Sequence, residues 1–179
     1  FVYLPAYYEA EQYIADRIGV LRDFSAPEDQ EIYLDLIKRE ETEQGIQYAE
    51  LQRKAILSAL SRGLLILTGG PGTGKTTTLN GMISLFEKQG YQVMLAAPTG
   101  RAAQRISDLT GYEAKTIHRL LEVEFHMAGA TKFRHNESNP LTCYVMIVDE
   151  MSMVDVLLFE SLLRALRLSC KLIMVGASD

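Results

Sequence analysis

The chain has 179 residues, a length that fits one domain with or without a small appendage. Hydrophobic residues make up 47% of it and charged residues 23%, ordinary globular values that exclude disordered, collagen-like and coiled-coil chains. No apolar run approaches the roughly 18 residues of a membrane span, and the aromatic, acidic N-terminus is not a signal peptide. We therefore expect a cytoplasmic protein without a membrane partner. Because the chain begins without Met, we also expect a piece of a longer protein.

Charge is unevenly distributed along the chain. The net charge is −5, and residues 1–63 account for it with 7 Lys/Arg against 12 Asp/Glu, whereas the remainder is balanced. A nucleic acid would therefore have to bind a local basic patch rather than a globally positive surface. The two cysteines, Cys143 and Cys170, lack metal-ligand spacing, which favours small buried side chains over a disulfide.

The order of predicted elements divides the chain near residue 45. Two helices, 6–24 and 30–43, form an N-terminal helical segment over residues 1–45. From Ile46 onward, helices alternate with short apolar strands, which predicts a second domain over 46–179. Its predicted helices are 48–61, 75–88, 101–109, 116–121 and 153–168, and its predicted strands are 64–68, 91–97, 145–148 and 171–176. This alternation indicates an α/β fold with a parallel sheet covered on both faces, and ligands of such sheets bind at the carboxyl ends of the strands.

A glycine-rich stretch after the first strand matches the phosphate-binding pattern G-x-x-x-x-G-K-[ST]. Backbone N–H groups of such a loop surround phosphate oxygens, and the helix that follows directs its positive end to the same place. Lys75 would contact the β- and γ-phosphates of ATP, and the Thr76 hydroxyl would bind Mg²⁺. The predicted nucleotide-binding residues of this stretch are Gly70, Pro71, Gly72, Thr73, Gly74, Lys75, Thr76 and Thr77.

An acidic pair follows the apolar strand at 145–148. Asp149 would hold the magnesium ion, and Glu150 would orient and deprotonate the attacking water. Both side chains can reach one site only if the backbone bends at the end of the strand. The alternative is an acidic helix start, but Ser152 and Asp155 have the spacing of a capping box and could begin the next helix themselves.

Gln52 lies in an apolar stripe of the helix predicted at 48–61. A carboxamide is costly there unless it is paired, and its donor and acceptor match the edge of adenine. Spacing leaves two interpretations equally open: an adenine contact, or a side chain at the stripe edge that points to solvent.

Four segments together carry a resemblance: GGPGTGKTTT (69–78), APTGRAA (97–103), TIHRLLE (116–122) and VDEMSMVD (148–155). In this order they resemble the RecD-like DNA helicases of superfamily 1, and more the stand-alone bacterial ATP-dependent type than the RecD subunit of the recombination nuclease. The resemblance implies a RecA-like fold, ATP hydrolysis and 5′-to-3′ translocation on single-stranded DNA. It also implies that Gln52 recognises adenine. We expect the chain to work as a monomer.

The resemblance implies a DNA contact at the residues Pro98, Thr99, Gly100, Arg101, Thr116 and His118. The residues themselves agree for Thr99–Arg101, because a hydroxyl, free N–H groups and a guanidinium at a helix start can hold phosphates. The alternative for Arg101 and Arg105 is a solvated helix face. For His118, a packed structural histidine is an equal alternative.

The sequence departs from the family pattern after its last strand. The family has Gly-Asp-x-x-Gln-Leu-Pro there, whereas this chain ends Gly176-Ala177-Ser178-Asp179, so the element that couples ATP to DNA is in doubt. We also expect a second RecA-like domain, with an arginine finger, elsewhere in the same polypeptide, without which this part would hydrolyse little ATP.

Two other functions fit parts of the sequence. A loader ATPase of the AAA+ type would share the phosphate loop but has no need of the TGRAA and TIHRLL segments. An interaction module with a degenerate nucleotide site is disfavoured because Lys75, Thr76, Asp149 and Glu150 are all present.

Overall fold

Helices and strands alternate through the part of the chain that the structure, a computed structural model, describes: residues 4–25, 30–70, 72–125 and 131–176. The helices are α1 (Pro5–Asp23), α2 (Gln30–Gln44), α3 (Glu50–Ser61), α4 (Lys75–Lys88), α5 (Gly100–Thr110), α6 (Ile117–Leu121) and α7 (Val156–Ala165). The strands are β1 (Leu64–Thr68), β2 (Val93–Ala97), β3 (Ala114–Thr116), β4 (Val123–Phe125), β5 (Thr131–Phe133), β6 (Val145–Val148) and β7 (Lys171–Gly176). None of these helices is both long and apolar enough to cross a membrane.

Five of the strands form one parallel sheet in the order β1-β7-β6-β2-β3, and β4 and β5 form a separate antiparallel pair. The predicted α/β class with a parallel sheet is confirmed. All five carboxyl ends lie at one edge, because the strands run in the same direction. The glycine-rich loop, the acidic pair and the Pro98–Arg101 segment leave the sheet at that edge, as predicted.

Both faces of the sheet are covered, which explains why its strands are apolar without alternation. Along β6, Met146 and Val148 pack into one core, with side chains of α6 and α7. Val145 and Ile147 point to the opposite face and pack into a second core, with side chains of α2, α3 and α4. Successive side chains of a strand point to opposite faces, so each strand of the centre contributes to both cores.

The two N-terminal helices each join one of these cores. Leu21 of α1 packs into the core beneath α7, and Tyr33 and Ile37 of α2 pack into the core beneath α3 and α4. The boundary between residues 1–45 and 46–179 stays a prediction, and the structure adds that both N-terminal helices share buried side chains with the sheet domain.

The start of the last helix was predicted wrongly. Residues Met151–Met153 form a 3₁₀ turn, and α7 begins only at Val156. The N-cap is Asp155, whose Oδ1 accepts a hydrogen bond from the Leu158 N–H at 2.8 Å. Ser152 therefore does not cap the helix, and the predicted capping box is wrong. The other end also differs, because Leu166 has an extended backbone and ends the helix at Ala165 rather than at residue 168.

The strands differ from prediction at the edge of the sheet. β2 begins at Val93 rather than at residue 91, because the Tyr91 N–H donates to the Phe86 carbonyl and closes α4. β3 and the β4–β5 hairpin were not predicted. Each has only three residues per strand, too few for a pattern of alternation.

The two cysteines are buried and free, as expected, with 3.7 Å between their sulfur atoms. The hydrogen bond with Cys143, together with burial, raises the pKa of the Cys170 thiol above its ordinary value.

Candidate nucleotide site and nucleic-acid interface

The glycine-rich loop connects the end of β1 to the start of α4. Gly72 and Gly74 have φ angles of 75° and 80°, a left-handed conformation that favours glycine. A Cβ on Gly74 would lie 2.4 Å from Nε2 of Gln52, so a larger residue would have to displace that side chain as well as adopt a strained φ. Across the loop, the Thr73 hydroxyl donates to the Gly70 carbonyl at 2.8 Å. The loop therefore has the glycine conformations and the strand–helix context that phosphate binding requires.

Lys75, Thr76 and Thr77 form the first turn of α4, where the backbone N–H groups have no partner within the helix. The Lys75 ammonium donates to the Gly176 carbonyl at 3.3 Å, so it spans the gap between the loop and the end of β7. Thr76 is half-buried and Thr77 is exposed. Pro71 of the loop and the segment after β7, Ala177-Ser178-Asp179, lie outside the described ranges.

The acidic pair follows β6, and the backbone bends there. The Asp149 N–H still continues the ladder by donating to the Ala96 carbonyl at 2.9 Å. Glu150 has φ 50° and ψ 46°, a left-handed conformation that costs a non-glycine residue roughly 1–2 kcal/mol. Residues held in such conformations are enriched at functional sites. The backbone therefore bends directly after the strand, and the roles of the two acids stay predictions.

Thr76 and Asp149 offer the oxygen ligands that Mg²⁺ prefers. The strands that precede these two residues, β1 and β6, are separated by β7 in the sheet. About 10 Å therefore lies between the ends of β1 and β6. The described residues contain no group of three or more His, Cys, Asp or Glu side chains that could hold a metal by themselves. The donor set fits a magnesium ion that takes its other ligands from water and from nucleotide phosphates.

Gln52 bonds to the protein at both ends of its carboxamide. Its Nε2 donates to the Gly74 carbonyl at 3.1 Å, and its Oε1 accepts from the Ala49 N–H at 2.9 Å. These two bonds hold the half-buried carboxamide against the protein, which disfavours the solvent-pointing interpretation. One N–H and one lone pair remain for a ligand. The adenine contact stays a prediction, and the bond to the phosphate loop is new.

Thr99 caps α5 at the carboxyl end of β2. Its Oγ1 accepts from the Ala102 N–H at 3.2 Å, and the hydroxyl proton is still available to an anion. Gly100 and Arg101 are exposed beside it, and Pro98 is half-buried. The capped helix start and the exposed guanidinium give this end of α5 the groups that bind a phosphate backbone.

The second predicted DNA segment lies next to the first. Thr116 is the in-register partner of Ala97, so the ends of β3 and β2 are neighbours. Thr116 caps α6 by accepting from the Arg119 N–H at 3.2 Å. His118 is exposed, and its ring centroid lies 6.0 Å from that of Phe133. The fold thus brings the two segments together, and their contact with DNA stays a prediction.

Arg105 is a residue whose contact the sequence did not indicate. Its Nη1 lies 3.7 Å from Oε1 of Glu150, and the two side chains are 69% and 31% exposed. The sequence shows that Arg101 and Arg105 are four residues apart on one predicted helix. The contact also requires that β2 and β6 are adjacent strands, which the structure shows. The strand order cannot be read from a single sequence, so the ion pair could not be predicted.

Comparison with known families identifies the domain. A family model described as an AAA domain matches residues 52–179. The chain belongs to this family. The match covers the sheet domain from Gln52 onward, which includes the glycine-rich loop and the acidic pair.

Individual relatives of this AAA domain are named as helicases or as RecD subunits. The chain is 37% identical over 178 residues to the ATP-dependent RecD2 DNA helicase of Deinococcus radiodurans, covering 99% of the chain and 24% of the relative. It is 40% identical over 153 residues to the RecD subunit of the RecBCD enzyme of Mycolicibacterium smegmatis, covering 73% and 27%. The resemblance to RecD-like proteins is confirmed. The chain spans about a quarter of the length of these relatives.

Solved structures of Pif1 helicases have a similar fold. A structure of two coordinating Pif1 helicases, described for DNA unwinding at forked duplex DNA, matches with a TM-score of 0.54 and 25% identity, covering 74% of the chain and 34% of the other. The Pif1 helicase of Candida albicans matches with a TM-score of 0.52 and 27% identity, covering 73% and 32%. The RecA-like architecture expected from the resemblance is thereby confirmed.

Proposed function

We propose that this AAA domain is the ATP-binding motor domain of a RecD-type DNA helicase. In this proposal, ATP hydrolysis drives 5′-to-3′ movement along single-stranded DNA, and a second RecA-like domain of the same polypeptide completes the motor. The chain acts as a monomer. The observation that carries the proposal is the arrangement of the glycine-rich loop, the acidic pair and the capped start of α5 along one edge of one sheet.

Each part of the nucleotide site has a chemical task in the proposed reaction. Lys75 neutralises the β- and γ-phosphates, and Thr76 and Asp149 would hold Mg²⁺. The metal supplies charge neutralisation at the phosphates when it is bound. Glu150 orients the attacking water and accepts its proton. Gln52 supports the loop through Gly74 and presents its remaining donor and acceptor to adenine.

The proposed DNA contact involves the ends of β2 and β3. Thr99, Gly100 and Arg101 offer a hydroxyl, a backbone N–H and a guanidinium, and Thr116 and His118 lie at the neighbouring strand end. All of these groups can bind phosphates, the sequence-independent contact that a motor moving along any sequence requires.

A loader ATPase of the AAA+ type is the alternative. Membership in the AAA family alone would fit a loader, but the similarity to RecD proteins favours the helicase. The TGRAA and TIHRLL segments, which a loader does not need, contain the residues of the proposed DNA contact.

Nucleotide binding by the chain is the first test. Isothermal calorimetry with ATP–Mg²⁺ and with ADP should detect binding, and Lys75→Ala should abolish it. Lys38→Ala, an exposed lysine of α2, is the matched control and should bind as the wild type does. Binding is measured rather than turnover because an arginine from a second domain can contribute about 10³–10⁵ in rate. Equal nucleotide binding by wild type and Lys75→Ala would refute the proposal that the glycine-rich loop binds phosphate.

Binding of single-stranded DNA is the second test. Arg101→Ala should weaken binding about equally for oligonucleotides of different sequence, because a phosphate contact carries no sequence information. The slope of log affinity against log salt should fall by about 0.7, the value for one phosphate on a single strand. A loss that depends on sequence, or an unchanged slope, would exclude Arg101 as a phosphate contact.

A further inference from the structure

Arg105 and Glu150 form an ion pair between two parts of the site that have different proposed tasks. Arg105 lies on α5, one turn beyond the proposed DNA contact at Thr99–Arg101. Glu150 directly follows β6 and is the proposed acceptor of the proton from the attacking water. The two side-chain atoms lie 3.7 Å apart, beyond hydrogen-bond distance, so the attraction is electrostatic.

The ion pair is weak enough for Arg105 to exchange Glu150 for another anionic partner. The Arg105 side chain is 69% exposed, and ion pairs between exposed groups contribute about 0–1 kcal/mol. A guanidinium binds a phosphate through two parallel hydrogen bonds, which makes that pairing shorter and stronger. A DNA phosphate that approached Arg105 would therefore displace Glu150.

The position of Arg105 makes such an approach possible. Arg101 and Arg105 are four residues apart on α5, so their side chains leave the same face of the helix about 6 Å from each other. A strand that is held at Arg101 and runs along α5 would bring its next phosphates to the helical turn that carries Arg105. The opposite face of α5 is occupied, because Ala102, Ala103 and Ile106 are buried.

We propose that Arg105 is a positioning residue that exchanges partners: without DNA it holds the Glu150 carboxylate, and with DNA it contacts a phosphate and releases that carboxylate. This inference rests on the proposed function, because it assumes both the DNA contact on α5 and the role of Glu150. It gives DNA a direct physical route to the acid that acts in hydrolysis. Coupling of this kind is reciprocal, so the charge of Glu150 must also change the affinity for DNA.

Reciprocity allows a test that does not depend on ATP turnover. The affinity of the chain for a fluorescent oligothymidylate is measured by anisotropy without nucleotide, over a range of salt concentrations. Four proteins form the cycle: wild type, Arg105→Gln, Glu150→Gln and the double variant. Glu150→Gln should tighten binding about two- to fivefold when Arg105 is present, since it frees the guanidinium from an exposed ion pair. In the Arg105→Gln background this gain should disappear.

Two controls separate the exchange from a general effect of charge. Asp108→Asn removes a negative charge from the same helix, where Asp108 bonds to Gln104 rather than to Arg105, and it should change the affinity equally in both backgrounds. Arg105→Lys keeps the positive charge and should restore part of the gain. Melting curves by circular dichroism check that each variant is folded. If Arg105→Gln does not fold, Arg105→Met, which keeps the aliphatic stem, takes its place in the cycle.

The possible results distinguish the inference from the function on which it rests. A gain that requires Arg105 supports the exchange. An equal gain from Glu150→Gln in both backgrounds would overturn the exchange and leave the proposed function intact. If the wild type has no salt-dependent affinity for the oligonucleotide, the proposed DNA contact fails, and the exchange fails with it.

Discussion

At the scale of single residues, Gln52 joins the start of α3 to the glycine-rich loop. Its carboxamide accepts from the Ala49 N–H and donates to the Gly74 carbonyl. That carbonyl also accepts from the N–H and the hydroxyl of Thr78, at 3.1 and 3.0 Å. The loop therefore has other hydrogen bonds at Gly74 that would remain if Gln52 were removed.

Gln52→Ala should therefore affect base preference more than phosphate binding. We expect the ratio of ATP affinity to GTP affinity to fall, because the variant lacks the donor and acceptor proposed for adenine. The affinity for the triphosphate itself should fall by no more than about 1 kcal/mol, the contribution of one hydrogen bond. Competition binding with the two nucleotides measures both, and Lys54→Ala, exposed on the same helix, is the control. If the variant keeps its full preference for ATP, Gln52 serves only to connect α3 to the loop.

At the scale of elements, the start of α7 depends on one side chain. The Asp155 carboxylate accepts from the Leu158 N–H, whereas Ser152 is exposed within the preceding 3₁₀ turn. Asp155→Ala should lower the free energy of unfolding by about 1 kcal/mol, the usual contribution of an N-cap. Ser152→Ala should change it by less than about 0.5 kcal/mol. Urea denaturation of the two variants tests the assignment, and a larger effect at Ser152 than at Asp155 would contradict it.

The start of α7 also illustrates why some elements could be predicted from the sequence and others could not. The four longer strands of the sheet and the helices between them follow from apolar runs, glycines and caps, and their centres agree with the structure. The start of α7 was misplaced because Ser152 and Asp155 are both N-cap residues, and spacing does not tell which of them accepts the bond. The bend at Glu150 competes with helix formation there, since a left-handed residue interrupts the helical backbone.

In the candidate site, too, only local features could be predicted from the sequence. The glycine-rich loop is local, so its residues and their conformations follow from a pattern of eight positions. The contacts of Gln52 with Gly74 and of Arg105 with Glu150 join residues that are far apart in sequence. Only the strand order and the helix packing bring these pairs together, and neither is encoded in a local pattern.

At the scale of the whole molecule, buried cations connect distant elements through backbone carbonyls. Arg17 of α1 donates to the Leu166 and Arg167 carbonyls beyond α7, at 3.3 and 2.8 Å. Lys171 at the start of β7 donates to carbonyls at the end of α3, the nearest of them Leu60 at 2.7 Å. The carbonyls of the last helical turn of α3 lack partners within the helix and lie at its negative end, so the Lys171 ammonium is well placed to bind them.

A third connection, between α2 and α4, is an ion pair with a predictable dependence on pH. Lys88 of α4 binds Glu40 and Glu43 of α2, and these hydrogen bonds raise the pKa of Lys88 to about 12. Burial alone would raise the pKa of Glu40, but the hydrogen bonds from Lys88 and Ser84 hold it below its ordinary value of 4.5. The Glu40 side chain is 1% exposed, so the loss of its charge or its partner affects the fold directly.

The lowered pKa of Glu40 fixes the sign of this dependence. A carboxylate whose pKa is lower in the folded state stabilises the fold above the unfolded value, near pH 4.5, and this stability is lost as the pH falls below it. At about pH 7, Glu40→Gln should therefore lower the free energy of unfolding by about 1–3 kcal/mol. The difference between wild type and variant should shrink in acid, where the wild-type carboxylate is also neutral.

Glu43→Gln, which changes a 60% exposed partner of the same lysine, should have a much smaller effect. Urea denaturation of the three proteins at neutral and acid pH measures these differences, and a difference that stays constant with pH would mean that Glu40 acts through packing rather than through its charge.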